Sequence, residues 1–325
     1  MAEWLSTFVA GFEPLVEALA GEMLPGAADV RVSGGLATYA LRGDPSGAPL
    51  AALFTHTFAV LRRYGGEDFP AMVRAAAGAD FRAFTRPGQS FRVRFHDRGR
   101  FAAVDGAVAR AAEAHILRMA RLRVDRVNPD LEFWYIRRAD NAGYYALLRP
   151  GRTGREPAKG ALQPELAAGM CLLAGLRDGD AMADPFAGSG AIVERALAIA
   201  RLRAAHASDL DEAAARRLED RLGSRASVAR CDARSLTHLA GASLDAIVTD
   251  PPWGLYRAQS PAALADLYAE ALAEFRRVLR PGGRLVLLTA AERETDRAAK
   301  DAGFFIRRKL PILVHGKKAT LYRME

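Results

Sequence analysis

From about residue 181 onward, short apolar runs alternate with longer stretches whose apolar residues recur every three to four positions. Residues 181–184, 205–208, 227–230, 245–249 and 284–289 read as strands. Helices follow them to about Arg201 and Leu222, over 261–279 and to about Ala302. This strict alternation predicts a doubly wound α/β fold, a mostly parallel sheet with helices on both faces. A last pair of strands, 304–310 and 319–322, turns about His315-Gly316. So short a connection makes that edge antiparallel.

The first half has a different grammar. Residues 7–10 read as a short strand, and 13–24 carry Leu15, Val16, Leu19 and Met23 at helical spacing. A hairpin is expected over 29–32 and 37–41 about Ser33-Gly34-Gly35, then a strand over 58–64 closed by Gly65-Gly66. Phe91-Arg92-Val93-Arg94-Phe95 alternates apolar with basic, so one face can be buried while the other stays wet. Residues 106–122 form a helix with Val108, Ala112, Ile116 and Met119 in one stripe and Arg110, Arg118, Arg121 and Arg123 off it. After an Asn128-Pro129-Asp130 turn come strands 131–136 and 144–148, split by Asp140-Asn141-Ala142-Gly143. Residues 149–160 have the composition of a basic linker.

Length and charge sharpen this division. At 325 residues the chain is long for one core, so two or three domains are expected. The net charge of +8 is uneven: residues 1–80 carry −4, 81–160 carry +9 and 161–325 carry +3. A block holding more than the whole excess suits a phosphate backbone, and Arg118, Arg121, Arg123, Arg152, Arg155 and Lys159 are its candidate contacts. The start carries Glu3 and Glu13 where a secretory signal would have lysine or arginine, and no apolar run is of membrane-spanning length. A cytoplasmic protein without a membrane partner is expected. Cys171 and Cys231 stand apart from each other and from any histidine cluster, which predicts neither a disulfide framework nor a metal site. They also lie away from the two motifs below, so a thiolate nucleophile is not expected.

Two segments carry chemistry. Asp184-Pro185-Phe186-Ala187-Gly188-Ser189-Gly190 sits where the first strand of the alternating half turns into its helix, the place where doubly wound sheets bind ligands. Its glycines let the backbone approach a ligand. Asp209, with Leu210, ends the next strand, where a carboxylate accepts from ribose hydroxyls; Asp232, with Ala233, ends the third, where it can accept from an adenine amino group. Neither GxxxxGK[ST] nor GxGxxG is present, which disfavours nucleotide hydrolysis and dehydrogenation. An adenosyl ligand without pyrophosphate remains, namely S-adenosylmethionine. The second segment, Asp250-Pro251-Pro252-Trp253, ends the fourth strand. An exocyclic amino group is a poor nucleophile because its lone pair is delocalised into the ring. Acceptors from Asp250 and the Pro251 carbonyl would favour pyramidal nitrogen, the prolines would fix the carbonyl's direction, and Trp253 would stack on the base.

These segments resemble the DP-x-CGSG turn and the (N/D)PP(Y/F/W) motif of amino-directed nucleic-acid methyltransferases, with Phe186-Ala187 in place of the commoner small-Cys pair. Leu162-Gln163-Pro164-Glu165-Leu166-Ala167-Ala168 is similar to the helix preceding that fold in THUMP-containing RNA methylases. Ser90-Phe91-Arg92-Val93-Arg94, the basic helix and Val127-Asn128-Pro129-Asp130 are similar to a THUMP core. The resemblance implies a ferredoxin-like unit over 1–65, a THUMP RNA-binding domain over 66–152, a linker over 153–160 and a Rossmann-like methyltransferase domain over 161–325. It further implies methyl transfer to guanine N2 of tRNA, in the acceptor stem or at its junction with the D-stem, at position 6 or 10, by a monomer. Ribosomal RNA, adenine N6, protein glutamine and a catalytically inactive RNA-binding protein are the alternatives that the residues leave open.

Overall fold

The computed structural model describes residues 1–149, 161–254, 260–314 and 316–325. Arg152, Arg155 and Lys159, the expected linker and the His315 turn residue lie outside them. The chain divides into two compact units, Met1–Phe8 with Ala20–Thr153 and Val9–Leu19 with Gly154–Glu325.

In the first unit, nine strands make one sheet: β1 (Ala2–Phe8), β2 (Ala28–Ser33), β3 (Leu36–Leu41), β4 (Phe54–Gly65), β5 (Ser90–Asp97), β6 (Arg100–Phe101), β7 (Arg123–Val124), β8 (Leu131–Arg137) and β9 (Ala142–Arg149). The order is β2-β3-β1-β4-β9-β8-β5-β6, with β7 beside β5. The helices of this half are α1 (Glu13–Met23), most of which belongs to the 9–19 segment of the second unit, α2 (Phe69–Ala75) and α3 (Gly106–Met119). The predicted hairpin forms: Gly34 (φ +55°) and Gly35 (φ +73°) supply the left-handed pair that a two-residue turn between twisted strands needs. The apolar pattern predicts the first strand at 7–10, but β1 starts at Ala2 and ends at Phe8. Polar Ser6 and Thr7 break the apolar pattern there, yet Ser6 is fully buried, with its hydroxyl 2.9 Å from the Tyr39 phenol and 3.1 Å from Thr57 Oγ1. The pattern also does not show α2, which Asp68 caps by accepting from the Ala71 N–H at 2.8 Å. Strand alternation on β8 sends Phe133 and Tyr135 into the core that includes Ala112 and Ile116 of α3, and Trp134 and Ile136 to the opposite face.

The second unit contains α4 (Pro164–Ala174), β10 (Ala181–Asp184), α5 (Ala191–Ile199), β11 (Ala204–Asp209), α6 (Glu212–Leu222), β12 (Ser227–Arg230), β13 (Leu244–Thr249), α7 (Pro261–Val278), β14 (Leu279–Thr289), α8 (Glu292–Asp301), β15 (Ile306–Val314) and β16 (Lys317–Met324). The seven-stranded order is β12-β11-β10-β13-β14-β16-β15. All pairings from β12 to β14 are parallel, and β16 runs antiparallel between β14 and β15. This is the expected Rossmann-like sheet with one reversed strand. β14 begins earlier than 284, because Leu279 pairs with Leu244 before Pro281-Gly282-Gly283 bulges out and pairing resumes at Arg284. Opposite the ligand side, buried Asp245 accepts from the Ala181 N–H at 2.8 Å and pairs with Arg280 at 2.6 Å. No helix among the described residues is long and apolar enough to cross a membrane.

Candidate active site

In the order β11-β10-β13, the chain leaves β10 toward one side and reaches β13 on the other, so the carboxyl ends of β10 and β13 flank the switch point of the sheet. Asp184 ends β10 and Asp250 follows β13 directly. Both line one cavity of about 480 Å³, together with Phe186, Ala187, Gly188 and Ser189 of the first motif.

The turn at 184–190 is built largely from its own backbone and from Asp209. Ala187 N–H donates to the Ser208 carbonyl at 3.0 Å, and Gly188 N–H to Asp209 Oδ2 at 3.0 Å. Asp209 Oδ1 accepts from the Asp211 N–H at 2.9 Å, so this carboxylate ties the turn to the end of β11. Gly190 has φ +81°, and a Cβ there would lie 2.9 Å from a Leu218 methyl, so a larger residue would strain the backbone and have to displace that side chain. Arg221 grips the turn from outside, donating to the Ser189 carbonyl at 2.8 Å while pairing with Glu194.

Asp184 is buried, and its Oδ1 accepts from Thr249 Oγ1 at 2.7 Å and from the Phe186 N–H at 3.2 Å. Its Oδ2 is buried without a partner among the described residues. Burial pushes this carboxyl up to about 7 against the pull of those two donors, and nearby Asp250 and Asp209 push it the same way. Asp250, half-buried, is likewise raised to about 7 by burial, opposed by Trp253, whose Nε1–H donates to Asp250 Oδ1 at 2.9 Å. The Pro252 carbonyl accepts from Tyr268 at 3.2 Å. No hydrogen bond among the described residues occupies Asp250 Oδ2 or the Pro251 carbonyl.

The other residues singled out in the sequence are placed less uniformly. Leu210 is 61% exposed beside Asp209. Asp232 is held by its neighbour Arg234, which donates from Nη2 at 2.7 Å, and Ala233 sits in the hydrophobic core. An orphaned carboxylate oxygen, a turn of bare glycine backbone and an exposed leucine at successive strand ends fit an adenosyl ligand with a cationic centre. Thr249, Tyr268, Arg217 and Arg221 were missed. Thr249 adjoins the second motif and could have been read with it; the others lie in helices whose pattern shows only which face is buried.

In the first unit, Arg118, Arg121 and Arg123 are exposed, and Arg123 makes only a 3.8 Å contact with Asp125. A second cavity, of about 570 Å³, opens on the sheet face opposite α3. Its wall includes His56, Phe58, His96, Phe101 and Trp134, with Arg98, Arg137 and Arg138. Phe101 meets Trp134 edge-on at 5.2 Å and carries the Arg94 guanidinium 4.5 Å over its face. Arg92 and Arg94, predicted to lie on a wet face, are instead clamped by Glu132 at 2.5 and 3.0 Å.

The family model described as UPF0020, RMKL-like methyltransferase domain, matches residues 152–318. The tRNA (guanine(6)-N2)-methyltransferase of Thermus thermophilus is 38% identical over 139 residues, 40% of either chain. The tRNA (guanine(10)-N2)-dimethyltransferase of Methanothermobacter thermautotrophicus is 32% identical over 171 residues, 51% of this chain and 49% of its own. The chain thus spans less than half the length of each of these curated relatives. The crystal structure of TrmN from Thermus thermophilus superposes over 99% of both chains with a TM-score of 0.80 at 25% identity.

Proposed function

Because the chain belongs to the UPF0020 family of RMKL-like methyltransferase domains, we propose that it methylates guanine N2 in tRNA, at position 6 or 10 as the names of its relatives suggest. The observation that carries the reading is the convergence of Asp184 and Asp250, the leading carboxylates of the two motifs, on one cavity at the switch point. S-adenosylmethionine, when bound, supplies the methyl group. Asp184, the Gly188-Ser189-Gly190 backbone, Asp209 and Leu210 would hold it, with Asp232 available once Arg234 turns aside.

The target amino group needs two acceptors and a surface. Asp250 Oδ2 and the Pro251 carbonyl are acceptors without a hydrogen bond among the described residues, and Trp253, fixed by its N–H, offers a ring face to the base. Drawing both amino hydrogens toward fixed acceptors exposes the nitrogen lone pair, and alignment supplies most of the rate. The first unit would act as a THUMP-type RNA-binding body with a ferredoxin-like part. Supporting this are the +9 block and the aromatic, arginine-rimmed cavity, which suit phosphates and unpaired bases. Nucleoside mass spectrometry on bulk tRNA and, separately, on ribosomal RNA, each treated with the protein and labelled S-adenosylmethionine, tests the reading. N2-methylguanosine is expected; label confined to N6-methyladenosine or to ribosomal RNA overturns it.

A further inference from the structure

We propose that Tyr268 is a positioning residue for methyl transfer: together with Thr289 it fixes the Pro252–Trp253 peptide, and thereby aims the Pro251 carbonyl just before it and the ring just after it. The inference rests on the reading of residues 250–253 given above.

The donor assignments close in only one way. Tyr268, on α7, is 1% exposed, with its Oη 3.2 Å from the Pro252 carbonyl oxygen and 2.6 Å from Thr289 Oγ1. A carbonyl only accepts, so the phenol proton goes to Pro252. The hydroxyl proton of Thr289 must then supply the 2.6 Å bond, and Thr289 Oγ1 itself accepts from the Ala291 N–H at 2.9 Å. The result is a one-way chain, from the Ala291 N–H through Thr289 and Tyr268 to the Pro252 carbonyl. The first two links are buried and the last, at Pro252, is part-buried; in such an interior, hydrogen-bond chains polarise one another and a lone hydroxyl would be a net cost. Burial also raises the phenol's pKa, so it remains a donor across the physiological range.

A second contact from the same helix face says that α7 serves this loop. Leu264, one turn before Tyr268, faces Gly254, where an added Cβ would lie 2.9 Å from the leucine side chain. Gly254 has φ +73°, so the backbone just after Trp253 adopts a conformation that favours glycine while pressed on α7. The motif is thus held at Pro252 by a hydroxyl and at Gly254 by packing. Trp253 lies between these two anchors, and the Pro251 carbonyl just before them. Phenylalanine at 268 would fill the same space; only the hydroxyl sets the direction of the peptide.

Tyr268→Phe, Thr289→Val, Thr289→Ser and the Tyr268→Phe/Thr289→Val pair test this in the full chain. Tyr268→Phe and Thr289→Val should each lower the single-turnover rate at saturating tRNA about ten- to a hundredfold, the scale of a misplaced reacting group. The half-saturating tRNA concentration and the cofactor Kd should stay within about twofold. Thr289→Ser should restore the rate, and the double variant should be no slower than the slower single one, since both break one chain. A readout independent of turnover comes from 5-fluorotryptophan: of the three tryptophan ¹⁹F resonances, only that of Trp253 should move or broaden in Tyr268→Phe. An unmoved Trp253 resonance, or multiplying losses in the double variant, overturns the positioning role. A Trp253 resonance that moves in a protein whose wild type leaves tRNA unmethylated supports the positioning role and refutes the proposed substrate.

Discussion

Trp253 and Asp250 form a closed pair: the indole Nε1–H donates to Asp250 Oδ1 at 2.9 Å, so the ring that would stack on a base is tethered to the carboxylate that would hold its amino group. The same bond favours the ionised carboxylate against the burial that raises it to about 7. Ionised Asp250 accepts through every lone pair, whereas the protonated acid offers a competing donor. The single-turnover rate is therefore expected to rise through about pH 7. Trp253→Phe keeps a ring but removes the donor, and the midpoint of that rise should move to higher pH. A rise unchanged in position would assign it to another group.

Asp184 makes a prediction about stability. Its folded pKa of about 7 lies above the unfolded carboxylate value of about 3.9. Between those values the folded state binds more protons than the unfolded one, so this carboxyl makes stability fall as pH rises. The slope cannot exceed about 1.4 kcal/mol per pH unit for one group. Asp184→Asn removes the proton while an amide oxygen can still accept from Thr249 and the Phe186 N–H. Chemical denaturation of both proteins from about pH 4.5 to about 7.5 should show the wild type losing stability relative to the variant. A constant difference across that range would mean that Asp184 is ionised throughout.

Both segments of the candidate site stand out in the sequence because their residue types violate the surrounding pattern. Asp184 and Asp250 are charges at the ends of apolar runs, the kind of break in local logic expected at functional positions, and the structure brings both to one cavity. The central strands β10 and β13 were legible for a related reason, since parallel strands buried on both faces read as continuous apolar runs. What escaped was polar and buried. Ser6 hides inside a central strand, and Tyr268 and Thr289 sit inside an apolar face and at a strand end, where periodicity marks burial but not a hydroxyl's partner. Arg92 and Arg94 were read as solvated because alternation shows a face without showing that Glu132 occupies it.

Asp209 links the first motif to β11 through the Gly188 N–H and would also meet the cofactor's ribose. Asp209→Ala removes both, so S-adenosylmethionine binding should weaken by about 1–3 kcal/mol, the range for buried polar groups left unpaired. tRNA binding should barely change. Calorimetry giving wild-type cofactor affinity would remove Asp209 from the site.

Arg118, Arg121 and Arg123 are exposed and, among the described residues, engaged in no ion pair tighter than that of Arg123 with Asp125, so their charge is available to phosphates. Neutralising all three should weaken tRNA binding and flatten the log-log salt dependence by up to about 0.9 for each phosphate that is no longer neutralised, with cofactor affinity intact. A slope equal to wild type would make them a solvated face, and the aromatic cavity opposite α3 would become the better candidate for the RNA interface.

Asp250 separates an acceptor mechanism from general-base catalysis. If Oδ2 and the Pro251 carbonyl grip the two amino hydrogens, Asp250→Ala should remove most turnover while cofactor and tRNA still bind, because the missing hydrogen bond acts mainly in the transition state. Asp250→Asn should be milder: an amide oxygen can accept either from the substrate amino group or from Trp253, though its NH₂ cannot accept at all. Its rate should also lose the rise near pH 7, since the amide does not titrate. A general base needs the negative charge, and for it asparagine would be nearly as damaging as alanine. Single-turnover rates on one tRNA transcript across about pH 5.5 to about 8.5 decide between them. Equal, severe losses for the two variants would refute the acceptor role, and full activity in Asp250→Ala would place the chemistry elsewhere in the cavity.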